Sequence, residues 1–355
     1  MKISACAALL CSLLPLHNLA ASEAPEPNWQ IIGQWDNDLL TGTDRDYTNG
    51  ARVGFIREFA PDEEMHGSLL NSLYRLSGAS DMIPFQQWRL SGEGELRFAW
   101  GFGLSQLMFT PDNDEVDQAP KGERPYAGWL GLETSLHVKD DVSVSSVTLT
   151  LGTTGDLSYA DDTQKWVHEN ISNSPIYQGW KSQVPAEPTL NLHLDHKQRL
   201  SALDFSEDWP LQLDGYTEWG GALGNFRTDA YLGALIRFGY NLPATYSTPR
   251  VQVGSYGHEL FRQEAPDAAP LSIISFGGLR GYAVLHDITL DGPLFRDYDG
   301  AVDSKPLVGE CIFGLGLRYG SAELMFSHTI RTDEFKGQVS NQEFGSVTLR
   351  FQLPF

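Results

Sequence analysis

Val347-Thr348-Leu349-Arg350-Phe351-Gln352-Leu353-Pro354-Phe355 closes the chain with bulky apolar residues at every odd position and polar residues or proline between them. Successive side chains of a strand point to opposite faces, so this segment is a strand with one oily and one polar face. An amphipathic last strand ending on an aromatic residue is the usual address of an outer-membrane barrel, read by the barrel-assembly machinery. The same period recurs upstream. In Leu96-Arg97-Phe98-Ala99-Trp100-Gly101-Phe102-Gly103-Leu104 every second residue is large and apolar, and Cys311 to Tyr319 behaves alike. Leu190, Leu192 and Leu194 alternate with Asn191, His193 and Asp195. A strand buried on one face in water also alternates. Here, though, the set opposite the bulky residues is mostly Gly, Ala, Ser and charge, as a lipid-facing wall with a polar interior requires.

Such runs predict strands at 28–37, 49–58, 95–108, 126–138, 142–151, 188–195, 210–220, 229–238, 271–282, 309–319, 321–330 and 345–355. The expected fold is therefore all-β, an antiparallel transmembrane barrel of about 12 strands with short helical segments in its loops. The N-terminus agrees. Lys2, the apolar run Ile3 to Leu16 and the exit Leu19-Ala20-Ala21-Ser22 read as a secretory signal peptide over 1–21, leaving a barrel domain over 22–355. No later stretch of 18 apolar residues offers a transmembrane helix. Between the second and third strands, Leu69, Leu70, Leu73 and Leu76 have helical spacing, so 61–87 is expected to hold a short amphipathic helix at the inner interface.

Charge and cysteine content narrow the function. The chain has 25 basic and 46 acidic residues, a net charge of −21, which argues against nucleic acid as a partner. An anionic lipid surface would also repel it unless divalent cations bridge the two. Cys6 and Cys11 leave with the signal, so Cys311 alone cannot form an internal disulfide.

If both termini are periplasmic, the loops spanning Asp38–Tyr47, Thr110–Pro125 and Gly152–Pro188 share the external rim. The first carries Asp36-Asn37-Asp38 and Asp44-Arg45-Asp46-Tyr47-Thr48-Asn49-Gly50, an oxygen density that suits a hard cation such as calcium and equally suits a hydrophilic turn. Asp112-Asn113-Asp114-Glu115 fails as an EF-hand, because Val116 and Asp117 follow. Lys121-Gly122-Glu123-Arg124 puts two bases in one turn, a grip for phosphate or carboxylate or a salt bridge to neighbouring acids. In the third loop Thr163 or Asp162 is placed to cap a short helix, and Gln164 and His168 share one face of it. Histidine is the side chain best matched to general-base work near neutral pH. His193 and His196 are spaced like a metal pair, yet on a strand they face opposite sides. Gly-x-Ser-x-Gly is absent, so a serine-hydrolase elbow has no support.

Taken in order, Asn37-Asp38, Asp46 to Gly50, Phe109-Thr110-Pro111-Asp112, Arg124-Pro125-Tyr126-Ala127-Gly128-Trp129, Gln164-x3-His168 and Gly179-Trp180 resemble the lipid A 3'-O-deacylase (LpxR-type) family, as do Gly224-Asn225 and Arg237-Phe238-Gly239. The resemblance implies a twelve-stranded outer-membrane barrel of a Gram-negative cell. By it, the protein uses calcium to hydrolyse the 3'-linked acyloxyacyl ester of lipid A, with lipopolysaccharide as substrate. His168 then matches the catalytic His, with Asn37, Asp38 and Thr48 as polar active-site positions and Asp38 and Asp46 at the cation. Lys121 and Arg124 match the phosphate-holding basic motif, and Gln164 the substrate side of the helix. One departure stands out: where the family can carry an acidic residue shortly after that His, Ser172-Asn173-Ser174-Pro175 offers none before Glu187. The competing readings are an outer-membrane phospholipase and a non-enzymatic barrel, either a channel or a structural protein.

Overall fold

A computed structural model describes residues 29–38, 46–59, 97–112, 117, 119–140, 142–172, 177–200, 211–243, 249–253 and 270–353. The expected signal peptide, the expected helix within 61–87 and Phe355 lie outside these residues.

Twelve strands are found among them: β1 (Trp29–Asn37), β2 (Asp46–Phe59), β3 (Arg97–Thr110), β4 (Ala127–Lys139), β5 (Ser143–Thr154), β6 (Pro188–Arg199), β7 (Leu211–Gly224), β8 (Arg227–Tyr240), β9 (Leu271–Asp287), β10 (Leu307–Tyr319), β11 (Ala322–Arg331) and β12 (Gln342–Leu353). Each expected strand is present, and most run a few residues longer than the hydropathy pattern showed. Every strand pairs antiparallel with its sequence neighbours, and β12 returns to β1 from Trp29↔Leu353 to Asn37↔Gly345, closing the barrel. Closure leaves no unpaired edge, which a lipid environment would penalise heavily. None of the described helices is long and apolar enough to cross a membrane.

The two ends differ. One, the turn end, holds the start of β1, the end of β12 and the tight β10–β11 turn at Gly320, where φ is +56°. The other, the loop end, holds the β5–β6 connection with helix α1 (Ala160–Val167) and the β9–β10 connection with the single turn α2 (Ile288–Asp291).

The wall is apolar outside and polar inside. Leu132, Leu232 (70% exposed) and Leu315 (65%) face outward, whereas Gln30, Arg52, Glu133, Lys197, Glu218, Arg280 and Glu310 are buried in the lumen. Isolated buried charges would be costly, so these come in pairs. Arg52 meets Glu133 at 3.3 Å, Arg280 meets Glu218 at 2.7 Å, and Glu310 accepts from both Arg250 and Arg331 at 2.9 Å. At the loop end the lumen changes character. Tyr47, Phe109, Trp129, Phe226, Ile288 and Phe344 form an apolar cluster there, with Tyr47 edge-on to Phe344 at 4.8 Å.

Candidate active site on the outer wall of the barrel

Alternation along β1 sends Gln34 and Asp36 into the lumen and Trp35 and Asn37 outward. In β2 the register slips between Tyr47 and Asn49. Such a bulge re-aims side chains. Tyr47 turns inward to the aromatic cluster, while the Thr48 hydroxyl lies 2.6 Å from that of Thr110, an outward position on β3. Asn37 Nδ2 donates to the Thr48 carbonyl at 3.0 Å, tying the ends of β1 and β2 together. Asp38 follows directly and is buried. Asp46 opens β2; its side chain lies outside the described residues.

Val184 of the third loop joins the apolar cluster at the loop end of the lumen, but the helical part of the loop lies elsewhere. It folds back against the outside of β3 and β4. Gln106, outward on β3, donates through Nε2 to the Ser158 carbonyl at 2.6 Å and to the Thr163 hydroxyl at 3.3 Å. Gly128, outward on β4, lets α1 approach closely, since a Cβ there would collide with Ser158 and lie 2.5 Å from the Ala160 Cβ. Met108, Tyr126, Ala160, Tyr177 and Trp180 fill the seam. The helix starts earlier than expected, with left-handed Tyr159 (φ 54°) as its N-cap in place of Thr163 or Asp162. Asp161 and Asp162 fall in the first turn, where carboxylates suit the helix dipole.

Gln164 and His168 share the inner face of this loop, each 4% exposed. Gln164 Oε1 accepts from Trp180 Nε1 at 2.6 Å, which orients the amide and leaves Nε2 buried without a partner among the described residues. Trp180 stacks edge-on against Tyr126 at 5.4 Å, and Tyr177 meets the His168 ring edge-on at 5.2 Å. His168 also begins a π-helical turn, His168–Ser172. Asn37 and Thr48 thus lie at the outward ends of β1 and β2, and Gln164 and His168 in the loop packed outside β3 and β4, all toward the loop end.

Other candidates separate from this group. Asp36, one of the oxygens of the first loop, is lumenal. Lys121 lies exposed in a turn whose Gly122 has φ +86°. Arg124, expected to act with it, points inward: Nη1 meets Glu334 at 2.7 Å, Nη2 donates to Thr289 at 3.2 Å, and the guanidinium covers the Phe109 ring at 4.5 Å. Burial pushes the Glu334 carboxyl up, but Arg124, Arg331 and Arg227 outweigh it and hold the group at about 2. Arg124→Ala is accordingly expected to destabilise the barrel by about 3–5 kcal/mol, because it strands a buried carboxylate. Arg331, 3.2 Å from Glu334, places the loss toward the lower end. The urea midpoint measures it, and an unchanged midpoint with a raised KM would instead return Arg124 to the substrate.

His193 faces the lumen, 3.4 Å from the Thr150 hydroxyl, and His196 faces outward between Ser145 (2.9 Å) and Trp219, so they form no metal pair. Among the described residues no three His, Cys, Asp or Glu side chains converge as a metal site. Calcium does not require three carboxylates, since amide, hydroxyl and carbonyl oxygens serve it equally. The donors at hand are of that hard kind: the Asp38 carboxylate, the Asn37 amide and the Thr48 and Thr110 hydroxyls.

Gln106 went unremarked in the sequence, and Thr110, Tyr126 and Trp180 entered it only as members of the family motifs, with no role assigned. Gln106 and Thr110 did carry a signal, because polar residues in an outward, lipid-facing column call for a cover.

A model of the family described as Outer membrane protein LpxR matches residues 4–353. The chain belongs to the LpxR family. The LpxR structure from Salmonella typhimurium superposes with a TM-score of 0.69 over 91% of this chain and 99% of that one, at 16% identity. The β domain of the Bordetella autotransporter BrkA and the KdgM porin match with TM-scores of 0.40 and 0.34, at 9% and 7% identity, each over more than nine-tenths of both chains. No match was found among curated protein sequences. The chain is an outer-membrane protein of this family, and its described strands form a closed twelve-stranded antiparallel barrel.

The close seam at Gly128 gives a direct test of the loop's role. Gly128→Val is expected to displace α1 and lower activity at least tenfold, a loss consistent with small misplacements of catalytic groups. The barrel itself should keep its heat-modifiable gel mobility, because the added methyls point away from the lumen. Full activity in this variant would mean that α1 does not need its seat on β4.

Proposed function

We propose that the protein is a lipid A deacylase that hydrolyses the 3'-linked acyloxyacyl ester of lipopolysaccharide, acting at the loop end on the outer face of its own barrel. The observation that carries this reading is that buried His168 and Gln164 belong to a loop packed against the outer, lipid-facing side of β3 and β4. An acyl chain in the outer leaflet reaches that side without leaving the bilayer.

His168 serves as general base, taking a proton from the water that attacks the ester carbonyl, and Tyr177 fixes the plane of its ring. Gln164 Nε2, held in orientation by Trp180, donates toward the developing oxyanion. Asn37 and Thr48 hold the ends of β1 and β2 in register, and Asp38 and Asp46, close to them in the chain, would supply oxygens to a cation. Bound there, calcium would supply Lewis-acid polarisation of the carbonyl. Exposed Lys121 is the base available to a lipid A phosphate. With the loop end facing outward, substrate and site share one leaflet.

The experiment is mass spectrometry of lipid A from cells with and without the protein. Loss of one acyloxyacyl unit from the 3' position is the expected result. Intact lipid A together with released phospholipid acyl chains would point to a phospholipase, and no change in either lipid would leave a structural barrel.

A further inference from the structure

The β8–β9 connection leaves and re-enters the wall at the turn end, yet its residues 249–253 lie inside the lumen near the loop end. Polar contacts hold them on several sides. The Pro249 carbonyl accepts from Ser327 Oγ at 2.7 Å and the Arg250 carbonyl from Gln34 Nε2 at 2.9 Å. Arg250 itself reaches Tyr282 at 2.8 Å and Glu310 at 2.9 Å. The decisive contact is at Val251, whose backbone N–H donates to both oxygens of the Asp36 carboxylate at 3.0 Å.

Asp36 immediately precedes Asn37, and it also accepts from the Tyr47 hydroxyl at 3.2 Å, where Tyr47 immediately precedes Thr48. The Val251 side chain packs with Tyr47, Phe109 and Phe344 in the aromatic cluster. Gly50 completes the fit, because any Cβ there would run into the Tyr47 hydroxyl. Adjacent residues of a strand point to opposite faces. The segment therefore grips the lumenal sides of the same two strand ends whose outer sides carry Asn37 and Thr48.

We infer that Pro249–Val253 is an internal strut, and that Asp36 and Tyr47 are positioning residues through which it fixes the outer-face pair Asn37 and Thr48. The inference rests on the deacylase reading for its effect on rate, but the strut itself is a matter of structure. A carboxylate accepting from a backbone N–H makes a strong, directional contact in a site without bulk water. It replaces the flexibility of a strand end with a fixed position. Such a role acts on the chemical step more than on substrate capture, because the strut is separated from substrate by the barrel wall.

The test compares Asp36→Ala with Asp36→Asn in the full-length protein, assayed on purified lipopolysaccharide in mixed micelles. Asp36→Ala is expected to lower kcat by about 10- to 100-fold, with KM changed less than about twofold. Asp36→Asn keeps an oxygen for the Val251 N–H and should recover most of the rate. Tyr47→Phe retains the ring and removes only the hydroxyl, so it should show the same signature at smaller amplitude. Hydrogen exchange of the detergent-folded protein reads the strut without reference to activity. The Val251 amide should be protected in the parent and in Asp36→Asn, and exchange at least tenfold faster in Asp36→Ala. A freely exchanging Val251 amide in the parent overturns the proposal, as do parental kcat values in folded Asp36→Ala and Tyr47→Phe. If the parent hydrolyses nothing, the deacylase reading fails separately and the exchange data still decide whether the strut exists.

Discussion

His168→Ala is expected to lower lipid A hydrolysis by about 10²–10⁴-fold, the usual contribution of a positioned general base. The residue sits in the third loop, outside the strand ladder, so insertion and heat-modifiable mobility should stay at parental levels. Its neighbours sharpen the reading. Tyr177 packs against the ring and Trp180 holds Gln164, so removing the imidazole leaves the rest of the seam in place. His193→Ala is the matched control, because that ring faces the lumen beside Thr150 on the other side of the wall. The measurement is the acyl composition of lipid A from cells carrying each variant at equal membrane levels. Conversion at the parental rate in His168→Ala would remove this residue from the chemistry. Equal losses in both variants would indicate a folding defect and not a lost base.

Removal of calcium is expected to have a comparably large effect. Excess chelator should abolish hydrolysis and added calcium should restore it, with the barrel folded throughout. The physical reason is the donor set: the Asn37 amide, the Thr48 and Thr110 hydroxyls and the neighbouring Asp38 carboxylate are hard oxygens of the kind calcium takes, and a cation held by them would polarise the ester carbonyl. The barrel does not depend on that cation, because its closure rests on backbone ladders and lumenal ion pairs such as Arg52–Glu133 and Arg280–Glu218. Chelation thus separates activity from folding. Full turnover in excess chelator would mean that Asp38 and Asp46 only solvate a loop, and His168 with Gln164 would have to carry the reaction alone.

Much of the architecture was legible because a barrel strand writes its environment into every second residue. Leu190, Leu192 and Leu194 face lipid, and Asn191, His193 and Asp195 face the lumen, as their alternation indicated. The same parity placed His193 and His196 on opposite faces. It was less informative where the register slips. The bulge after Tyr47 sends Tyr47 inward and Thr48 outward, and no periodicity in the sequence marks that step. Loops were harder still. The four-residue spacing correctly put Gln164 and His168 on one helix face, but the helix begins at Ala160 on a left-handed Tyr159 cap. The side to which the loop folds depends on Gly128 and Gln106, whose partners lie across a space between distant parts of the chain.

By itself, then, the sequence indicated a wall of about twelve strands, which face of each strand meets lipid, and which loop carries the histidine. Those properties are local, because each follows from alternation or from helical spacing within about ten residues. Tertiary structure alone decided that the candidate site lies outside the barrel and not above its lumen. It also decided that Arg124 is claimed by Glu334 across the lumen, and that Val251 enters from the opposite end to meet Asp36. Each of these depends on which surfaces become neighbours when β12 closes on β1. A buried charge or N–H takes whatever partner that closure brings within hydrogen-bond reach, and with Asp36 and Val251 separated by 215 positions the sequence carries no local trace of it.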